Sequence, residues 1–285
     1  MNRIILGENS KVIPDLPKCS CSLIYIDPPF NSGKVQYRDV VSVARAGGVG
    51  DRIGFGDKRY KVLSSHMNVG SFNDSFNDYE HWLVSRIEAA IDCLTDNGSL
   101  IVHQDCWEVH YIKVALDKLF GSRDHFINEI IRSYDYGGKS RKRWPRGHEN
   151  LLWYAVNPRD FIFNHDDIDR VPYMAPKLVG PVKAAAGKVP TDSWWYSIEG
   201  TKGHEWTDNQ YATQKPVKLL ERIVKVHSMP GDTVLDFFAG SGTTGAAAAR
   251  HGRDFILVDN NPNAIRIARN RLSKYNPTNT DYSLD

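Results

Sequence analysis

The sequence lacks several features that mark common classes of protein. Its only cysteines, Cys19, Cys21, Cys93 and Cys106, form no CxxC pair, so neither a disulfide framework nor a cysteine-based zinc site is indicated. No stretch approaches the roughly 18 uninterrupted apolar residues of a membrane-spanning helix, and residues 1–6 are too short an apolar run for a signal peptide. The formal net charge is only +2, so bulk charge gives no evidence for a polyanionic partner. These absences favour a soluble globular chain with reduced thiols, and we expect a cytoplasmic location.

Apolar strands alternate with amphipathic helices along most of the chain. Residues 78–94 carry apolar side chains at steps of three and four and precede an apolar strand at 99–102. Residues 106–120 repeat the helical pattern before the next predicted strand at 126–131. Alternation of this kind predicts an α/β fold, with a mostly parallel sheet covered by helices on both faces.

One buried strand ends in an unusual way, because residues 22–26 run directly into Asp27-Pro28-Pro29-Phe30. Proline fixes φ and keeps the preceding residue out of the helical region, so Asp27 and Pro28 must be extended and form a rigid rim. The Asp27 carboxylate and the Pro28 carbonyl are two acceptors beside an aromatic ring. They suit a planar substrate with an exocyclic amino group, such as adenine or cytosine turned out of a duplex. Alternatively, Pro-Pro only ends the strand, Asp27 caps a turn and Phe30 is core.

A second buried strand, at residues 233–238, ends in a glycine-rich loop. The loop reads Gly240-Ser241-Gly242-Thr243-Thr244-Gly245. It satisfies GxGxxG between a strand and a helix, and Asp259 follows at about the twenty-residue distance of a ribose-binding acid. A nicotinamide-dinucleotide-binding oxidoreductase is therefore a competing function at this point. A P-loop is excluded, because the lysine of its GK[ST] motif is missing.

Three motifs together resemble the amino-group DNA methyltransferases, which methylate adenine N6 or cytosine N4 with S-adenosylmethionine. Asp27-Pro28-Pro29-Phe30 matches their catalytic tetrapeptide, residues 236–244 match their cofactor loop, and Thr213-Gln214-Lys215-Pro216 matches the segment preceding that loop. The catalytic motif comes first, as in the permuted beta group. The resemblance implies a Rossmann-like methyltransferase fold with a circularly permuted motif order. Its sheet would be mixed, mostly parallel and seven-stranded, with helices on both faces.

The resemblance also implies roles for individual residues. The catalytic residues would be Asp27, Pro28, Pro29 and Phe30. The residues that would hold S-adenosylmethionine are Asp236, Phe237, Ala239, Gly240, Ser241, Gly242, Thr243 and Thr244, with Asp259 at the ribose and with Thr213 and Lys215 near the carboxylate. An Asp at the first position of the tetrapeptide goes mostly with adenine N6 and a Ser with cytosine N4, so Asp27 favours adenine. No metal is expected.

The most basic run of the chain, residues 134–146, interleaves aromatic residues with cations. Its predicted DNA-binding residues are Lys139, Arg141, Lys142, Arg143 and Arg146. Cations beside Tyr and Trp, with Gly-Gly among them, favour contact with phosphates or a groove of DNA. A merely solvated charged surface is the alternative interpretation.

Two segments interrupt the predicted catalytic domain of residues 1–156 and 211–285. Residues 31–77 are rich in glycine and cations without sustained periodicity, which predicts a long, mobile, irregular loop that touches the DNA backbone, with a disordered segment without such a role as the alternative. Residues 157–210 contain five prolines and few apolar stripes, which predicts an insertion. The resemblance implies that this insertion recognises the target sequence.

The implied partner is double-stranded DNA, with a cognate restriction endonuclease and a homodimer as further candidates and no membrane. A cytosine N4 methyltransferase remains an alternative. RNA or protein-amide methyltransferases commonly begin the tetrapeptide with Asn and put the cofactor motif first. An oxidoreductase explains neither the rim at Asp27 nor the position of the glycine loop near the end of the chain. The intact Asp27, Gly240 and Gly242 argue against a nucleic-acid-binding pseudoenzyme.

Overall fold

The fold is given by a computed structural model, which describes residues 2–37, 40–45, 52–53, 59–66, 71–134, 140–194 and 214–284. The predicted site residues Thr213 and Lys139 lie outside the described residues, as do parts of the 31–77 and 157–210 segments.

The described strands are β1 Arg3–Leu6, β2 Cys21–Ile26, β3 Lys34–Tyr37, β4 Val40–Arg45, β5 Arg52–Ile53, β6 Arg59–His66, β7 Ser71–Asp74, β8 Leu94–Gln104, β9 Phe126–Ser133, β10 His148–Ala155, β11 Ser193–Trp194, β12 Thr233–Asp236, β13 Asp254–Asp259 and β14 Thr278–Asp281. The described helices are α1 Asn9–Val12, α2 Tyr79–Ile91, α3 Val109–Leu119, α4 Pro176–Val179, α5 Pro181–Ala186, α6 Val217–His227, α7 Thr243–Arg250 and α8 Pro262–Leu272. None of these helices is long and apolar enough to cross a bilayer.

Nine of the described strands form one sheet, in the order β11-β9-β10-β8-β2-β12-β13-β1-β14. Neighbouring strands are parallel except where β10 pairs with β8 and with β9. The predicted mixed, mostly parallel α/β fold is confirmed. The sheet has nine strands rather than seven, because the two-residue β11 and the C-terminal β14 extend its two edges.

Consecutive residues of the central strands pack on opposite faces of the sheet. On β2, Ile24 and Ile26 join the core that includes α2 and α3, whereas Leu23 and Tyr25 join the core that includes α6, α7 and α8. Side chains of a strand alternate in this way, so a strand covered on both faces must be apolar throughout. This requirement explains the unbroken buried run of β2.

The chain leaves β2 and β12 in opposite directions. The next strand of the large sheet after β2 is β8, on one side, whereas β12 continues through α7 to β13, on the other side. Diverging connections of this kind open a crevice beyond the carboxyl ends of the two strands, where α/β proteins bind their ligands. Asp27 directly follows β2 and Asp236 ends β12, so both motifs lie at this crevice.

Most of the described residues between Phe30 and α2 form strands, so the prediction of an irregular loop is wrong for them. β3 pairs antiparallel with β7, and β4, β6 and β5 form a separate three-stranded sheet. Gly33 N donates to Asp74 O (2.8 Å), so the chain returns to the point where it left. Three of these strands, β3, β5 and β7, have only two to four residues, which is too short to show a two-residue periodicity in the sequence. The predicted mobility stays a prediction.

The described part of the 157–210 segment is fastened to the main sheet at several points. β11 pairs with β9, and Phe161 and Phe163 pack against Trp153 of β10. Asn164 Nδ2 donates to the carbonyls of Lys225 and Ser228 at the end of α6. Residues 171–188 then form a hairpin that carries α4 and α5 and is closed by a bridge between Val171 and Lys188.

Candidate active site

Asp27 lies at the carboxyl end of β2 with its side chain only 18% exposed. Its Oδ1 atom is 3.0 Å from the ammonium of Lys215, which stands just before α6. The same ammonium lies 4.7 Å from the centre of the Phe30 ring, within cation–π distance. One cation therefore contacts both the acid and the ring of the predicted catalytic tetrapeptide.

The rim formed by Pro28 and Pro29 is tied to the sheet through Tyr79, the first residue of α2. The Tyr79 hydroxyl donates to the Pro29 carbonyl (2.5 Å) and accepts from Gln104 Nε2 (2.9 Å) at the end of β8. Burial raises the pKa of Tyr79, so its hydroxyl remains a donor at ordinary pH. The backbone of the tetrapeptide is thus held from two neighbouring elements.

The turn after Phe30 is held by Asp74, which is almost completely buried. Asn31 adopts φ +53°, a left-handed conformation that Asn tolerates better than most residues. The Asp74 carboxylate accepts from Asn31 N (2.7 Å), from Ser32 N (3.2 Å) and from the Ser32 hydroxyl. Asn31 Nδ2 in turn donates to Glu108 (2.8 Å). These bonds fix the direction in which the chain leaves the site.

Behind Lys215, polar side chains from neighbouring strands form a buried network around Glu149 of β10. Its Oε1 atom lies 3.7 Å from Lys215 Nζ, and its Oε2 atom accepts from Arg132 of β9 (2.6 Å) and contacts His103 Nε2 (2.9 Å). Burial would raise the pKa of Glu149, but Lys215, His103 and Arg132 hold it well below its usual range. Glu149 is therefore a carboxylate in the folded protein.

The protonation of the neighbouring groups follows from the same contacts. Burial and the nearby Lys215 lower the pKa of His103, so its ring is neutral. Burial raises the pKa of Tyr25 well above its ordinary value, and its hydroxyl lies 2.8 Å from His103 Nδ1. A carboxylate only accepts, so His103 Nε2–H donates to Glu149 and Nδ1 accepts from Tyr25. Burial would lower the pKa of Lys215, but Asp27 and Glu149 outweigh it and raise that pKa.

The glycine loop connects β12 to α7 on the other side of the crevice. Gly240 and Gly242 adopt φ +49° and +75°, values that favour glycine. A Cβ at Gly242 would lie 3.0 Å from Ala268 Cβ, so this position also lets α7 approach α8. Ser241 Oγ donates to Gln214 (3.3 Å), which joins the loop to the segment that carries Lys215.

Asp236 and Asp259 end adjacent parallel strands, β12 and β13, beside this loop. Asp236 accepts from Phe238 N (3.0 Å) and from the Thr244 hydroxyl (2.5 Å), while burial raises the pKa of Asp236 to about 7. Asp259 accepts from Gly240 N (2.8 Å) and Asn261 N (2.9 Å), and burial raises its pKa as well. Each carboxylate has about four lone-pair sites, so both retain capacity for a ligand.

The structure differs from the sequence analysis at several predicted cofactor residues. Phe237 is fully buried in the sheet core, so its ring is not available to a ligand, whereas Phe238 is half-buried and packs against Trp82. Lys215 contacts Asp27 and Glu149, where we expected it near a cofactor carboxylate, because two buried carboxylates attract its charge. Ser241 and Thr243 are buried against Arg271 of α8, and Ala239 is buried in the core. Thr213 lies outside the described residues.

The described cations of the basic run are exposed, and one of them lies against the site. Arg141, Lys142, Arg143 and Arg146 all face solvent. The Arg146 guanidinium stacks 4.2 Å from the ring of Trp107, which is 56% exposed and follows β8. The adjacent Glu108 accepts from Asn31, so this surface borders the tetrapeptide.

Sequence reasoning missed the supports of the site. They are Tyr25, Asp74, Tyr79, His103, Gln104, Arg132 and Glu149. One signal was present, because His103-Gln104 are polar residues that directly follow the apolar run Leu100-Ile101-Val102 at the ligand-binding end of the strand. Asp74 and Tyr79 gave no local signal, since only the fold brings them to Pro29 and Asn31.

Known proteins resemble this chain over nearly its whole length. The Type II methyltransferase M.HpaI of Haemophilus parainfluenzae is 29% identical over 278 residues, covering 96% of this chain and 75% of its own. The DNA adenine methyltransferase YhdJ of Escherichia coli (strain K12) is 27% identical over 280 residues, covering 94% of this chain and 82% of its own.

Solved structures share the fold described above. The M1.HpyAVI–SAM complex superimposes with a TM-score of 0.60 at 19% identity, covering 95% of this chain and 99% of its own. The PvuII DNA methyltransferase, described as cytosine-N4-specific, gives 0.60 at 15% identity, covering 99% and 96%.

The agreement extends to a family model. Residues 21–270, which include the tetrapeptide, the buried network and the glycine loop, match the model of the N6 and N4 methyltransferases, described as DNA methylase. The expected resemblance is therefore confirmed, and this chain belongs to that family of DNA methylases.

Proposed function

We propose that this DNA methylase transfers a methyl group from S-adenosylmethionine to N6 of adenine in double-stranded DNA. The observation that carries the proposal is the position of Asp27 and Phe30 at the crevice between β2 and β12, across from the glycine loop. The adenine relative YhdJ and the Asp at the first position of the tetrapeptide support adenine as the base.

In the proposed reaction the base leaves the duplex and stacks on Phe30. Asp27 and the Pro28 carbonyl accept its two amino hydrogens, which favours a pyramidal nitrogen and disperses the positive charge that develops during attack. The amino group replaces the Lys215 ammonium on Asp27, and Lys215 keeps Glu149 as its carboxylate partner. No covalent enzyme intermediate is needed, so positioning and electrostatics supply the rate enhancement.

The residues on the β12–β13 side fit S-adenosylmethionine. Asp259, at the end of β13, is placed to accept from a ribose diol, and Asp236 offers a carboxylate to the ammonium of the amino acid moiety. Two glycines with positive φ let the backbone come close to a ligand. The half-buried Phe238 ring is the aromatic surface for the adenine of the cofactor. When bound, S-adenosylmethionine supplies an electrophilic methyl group on a sulfonium.

Two exposed segments are the proposed DNA contacts. One is the basic run with Arg146 stacked on Trp107 at the border of the site. The other is the hairpin of residues 171–188, which contains three lysines and no acidic residue and exposes Met174, Leu178 and Val182 almost fully. Cations that meet phosphates and apolar side chains that meet base edges are what target recognition requires. We propose this hairpin as the described part of the target-recognition region.

Cytosine N4 is the second candidate target, because the PvuII enzyme with the same fold is cytosine-N4-specific. The relative M.HpaI is a Type II methyltransferase, which supports a cognate restriction endonuclease as a genetic partner. A homodimer and a cytoplasmic location stay predictions.

The test is transfer of labelled methyl from S-adenosylmethionine to unmodified duplex DNA, followed by nucleoside digestion and chromatography. We expect labelled N6-methyladenine with the wild type and none with Asp27→Ala, while binding of the cofactor to that variant persists. Labelled N4-methylcytosine would be consistent with the family but would show that the target base is cytosine and not adenine. Transfer that persists in Asp27→Ala would overturn the proposed role of the acid.

A further inference from the structure

The buried network behind Lys215 contains more charged groups than the stability of the core requires. Glu149 and Arg132 are directly opposite each other on β10 and β9, and His103 reaches Glu149 from β8 on the other side. Apolar residues of similar volume commonly stabilise a core as well as a buried ion pair does. Stability alone therefore does not account for one carboxylate, Glu149, and two cations, Lys215 and Arg132, beside the predicted catalytic acid.

Glu149 contacts Lys215 and is itself fixed in place by residues of two neighbouring strands. Arg132 and His103 both donate to Oε2, so its carboxylate is fixed by two neighbouring strands. Its other oxygen, Oε1, is directed towards Lys215 at 3.7 Å, slightly farther than the 3.0 Å between Lys215 and Asp27. Lys215 thus has one close and one more distant acceptor, and the side chain of lysine is long and flexible enough to move between them.

A substrate amino group must replace the Lys215 ammonium on Asp27 before it can bond there. The ammonium lies in a region where its own side chain is only 12% exposed. A cation displaced into such a region without a partner is strongly disfavoured. Glu149 removes this cost, because its fixed carboxylate is already within reach of the displaced ammonium.

We propose that Glu149 is a positioning residue for methyl transfer. It holds Lys215 beside Asp27 in the free enzyme and takes the ammonium when the target amino group bonds to Asp27. Tyr25, His103 and Arg132 act through Glu149 by fixing its orientation. The proposal rests on the proposed role of Asp27 and goes beyond it, because it assigns a role to residues that touch neither substrate.

The first experiment measures single-turnover methyl transfer to duplex DNA and binding of S-adenosylmethionine for Glu149→Gln and Glu149→Asp. Removing one member of a buried charge pair typically costs about 2–5 kcal/mol, so we expect Glu149→Gln to slow transfer by roughly 30-fold or more. The dissociation constant for the cofactor should stay within about twofold, because the partners of Glu149 are His103, Arg132 and Lys215, and Glu149 contacts neither Asp236, Asp259 nor the glycine loop in the described interactions. Glu149→Asp keeps the charge at a shorter reach and should restore part of the rate.

The matched control is Glu129→Gln, on β9, next to β10. Glu129 is also a partly buried glutamate that accepts a hydrogen bond, from Asn150 (2.6 Å), but it has no contact with Lys215 among the described interactions. We expect it to leave the transfer rate unchanged. Thermal unfolding of all variants shows whether any loss of rate follows loss of folded protein.

A double-mutant cycle with Lys215→Gln separates positioning from a structural role. If Glu149 acts through Lys215, then Glu149→Gln has no further effect on the rate in the Lys215→Gln background. The charged groups facing Lys215 are Asp27, Glu149 and Arg132, with the neutral His103 behind them. Loss of Glu149 should lower the Lys215 pKa and move the alkaline limb of the pH–rate profile to lower pH.

Two results would overturn the proposal: an equal loss of rate in both Lys215 backgrounds, or a loss in Glu149→Gln matched by Glu129→Gln. If Glu149→Gln does not fold, the cycle is run with Glu149→Asp, and a rate equal to that of the wild type with an unmoved pH profile overturns it. A wild-type enzyme without transfer to any DNA base would instead refute the proposed function.

Discussion

Lys215 and Asp27 form an ion pair in which Nζ and Oδ1 are 3.0 Å apart, at the acceptor to which the proposed reaction assigns the amino group of the base. The free enzyme therefore fills its acceptor with an internal cation. In the proposed reaction the cation keeps the partly buried carboxylate paired until the base arrives, and its exchange for the amino group would link substrate entry to the network around Glu149.

Replacing Lys215 by Met should destabilise the protein and also slow methyl transfer. Asp27 and Glu149 would lose their shared cation, and we expect about 3 kcal/mol less free energy of unfolding at pH 8. The pKa of Lys215 is raised in the folded state, so the stability it contributes is present below the ordinary lysine pKa and is lost only at higher pH. Urea unfolding at pH 8 measures the change. Lys225→Met, which removes a more exposed pair with Asp169 (2.8 Å), should cost about 1 kcal/mol or less.

Asp74→Ala should reduce the rate of methyl transfer without weakening cofactor binding. Its carboxylate accepts three bonds from Asn31 and Ser32, and without it two backbone N–H groups lose their partner and the turn after Phe30 loosens. We expect a decrease of about 10- to 100-fold in kcat. Asp78→Ala, which removes only the cap of α2, should cost about 1 kcal/mol of stability and leave kcat unchanged. Equal decreases in kcat for Asp74→Ala and Asp78→Ala would contradict the prediction that Asp74 supports catalysis by holding the turn after Phe30.

Asp236 should make the cofactor-free protein less stable as the pH rises. Burial raises the pKa of Asp236 to about 7, so the folded state binds its proton more tightly than the unfolded chain does. The stability it contributes is present at acid pH and is lost between about pH 4 and pH 7, by up to about 4 kcal/mol. Asp236→Asn should remove this dependence in urea unfolding from pH 4 to pH 8. It should also weaken binding of S-adenosylmethionine, whose ammonium requires the ionised carboxylate.

The basic run should contribute to DNA affinity through phosphate contacts. Replacing Arg141, Lys142 and Arg143 by Ala should weaken binding to all duplex sequences and reduce the slope of log K against log salt by about 3, if each contacts one phosphate. Fluorescence anisotropy at several salt concentrations measures both. Lys18→Ala is the control, because Lys18 is exposed but precedes β2, whereas Asp27 follows it, so the two residues lie at opposite ends of that strand. A slope unchanged by the triple substitution would show that these three residues do not contact DNA phosphates.

Patterns that are local in the sequence predicted the large sheet and the two motifs correctly. The strand before Asp27 and the strand before the glycine loop are almost entirely buried and mostly apolar, as a sheet covered on both faces requires. The strands between Phe30 and α2 were missed, because three of them have only two to four residues and show no periodicity that a sequence pattern could detect. The number of strands was also underestimated, since a two-residue edge strand such as β11 has no periodicity to detect.

The side chains that support the site could not be predicted, because their contacts join distant parts of the chain. Glu149 reads as an ordinary polar residue at the start of a strand, and its role appears only when β8, β9 and β10 lie side by side. The position of Lys215 beside Asp27 was likewise decided by charge, not by the motif that contains it.

The antiparallel pairing of β3 with β7, closed by the hydrogen bond between Gly33 N and Asp74 O, makes the strands β4, β5 and β6 between them a removable module. The chain leaves and re-enters the catalytic domain at one point, so the loop-closure entropy of this excursion depends only weakly on its length. Evolution can lengthen, shorten or exchange the module without moving Phe30 or Tyr79. A variant in which a two-residue turn joins β3 directly to β7 should keep the geometry of the catalytic rim, and relatives of this enzyme should differ in length here more than at their strands.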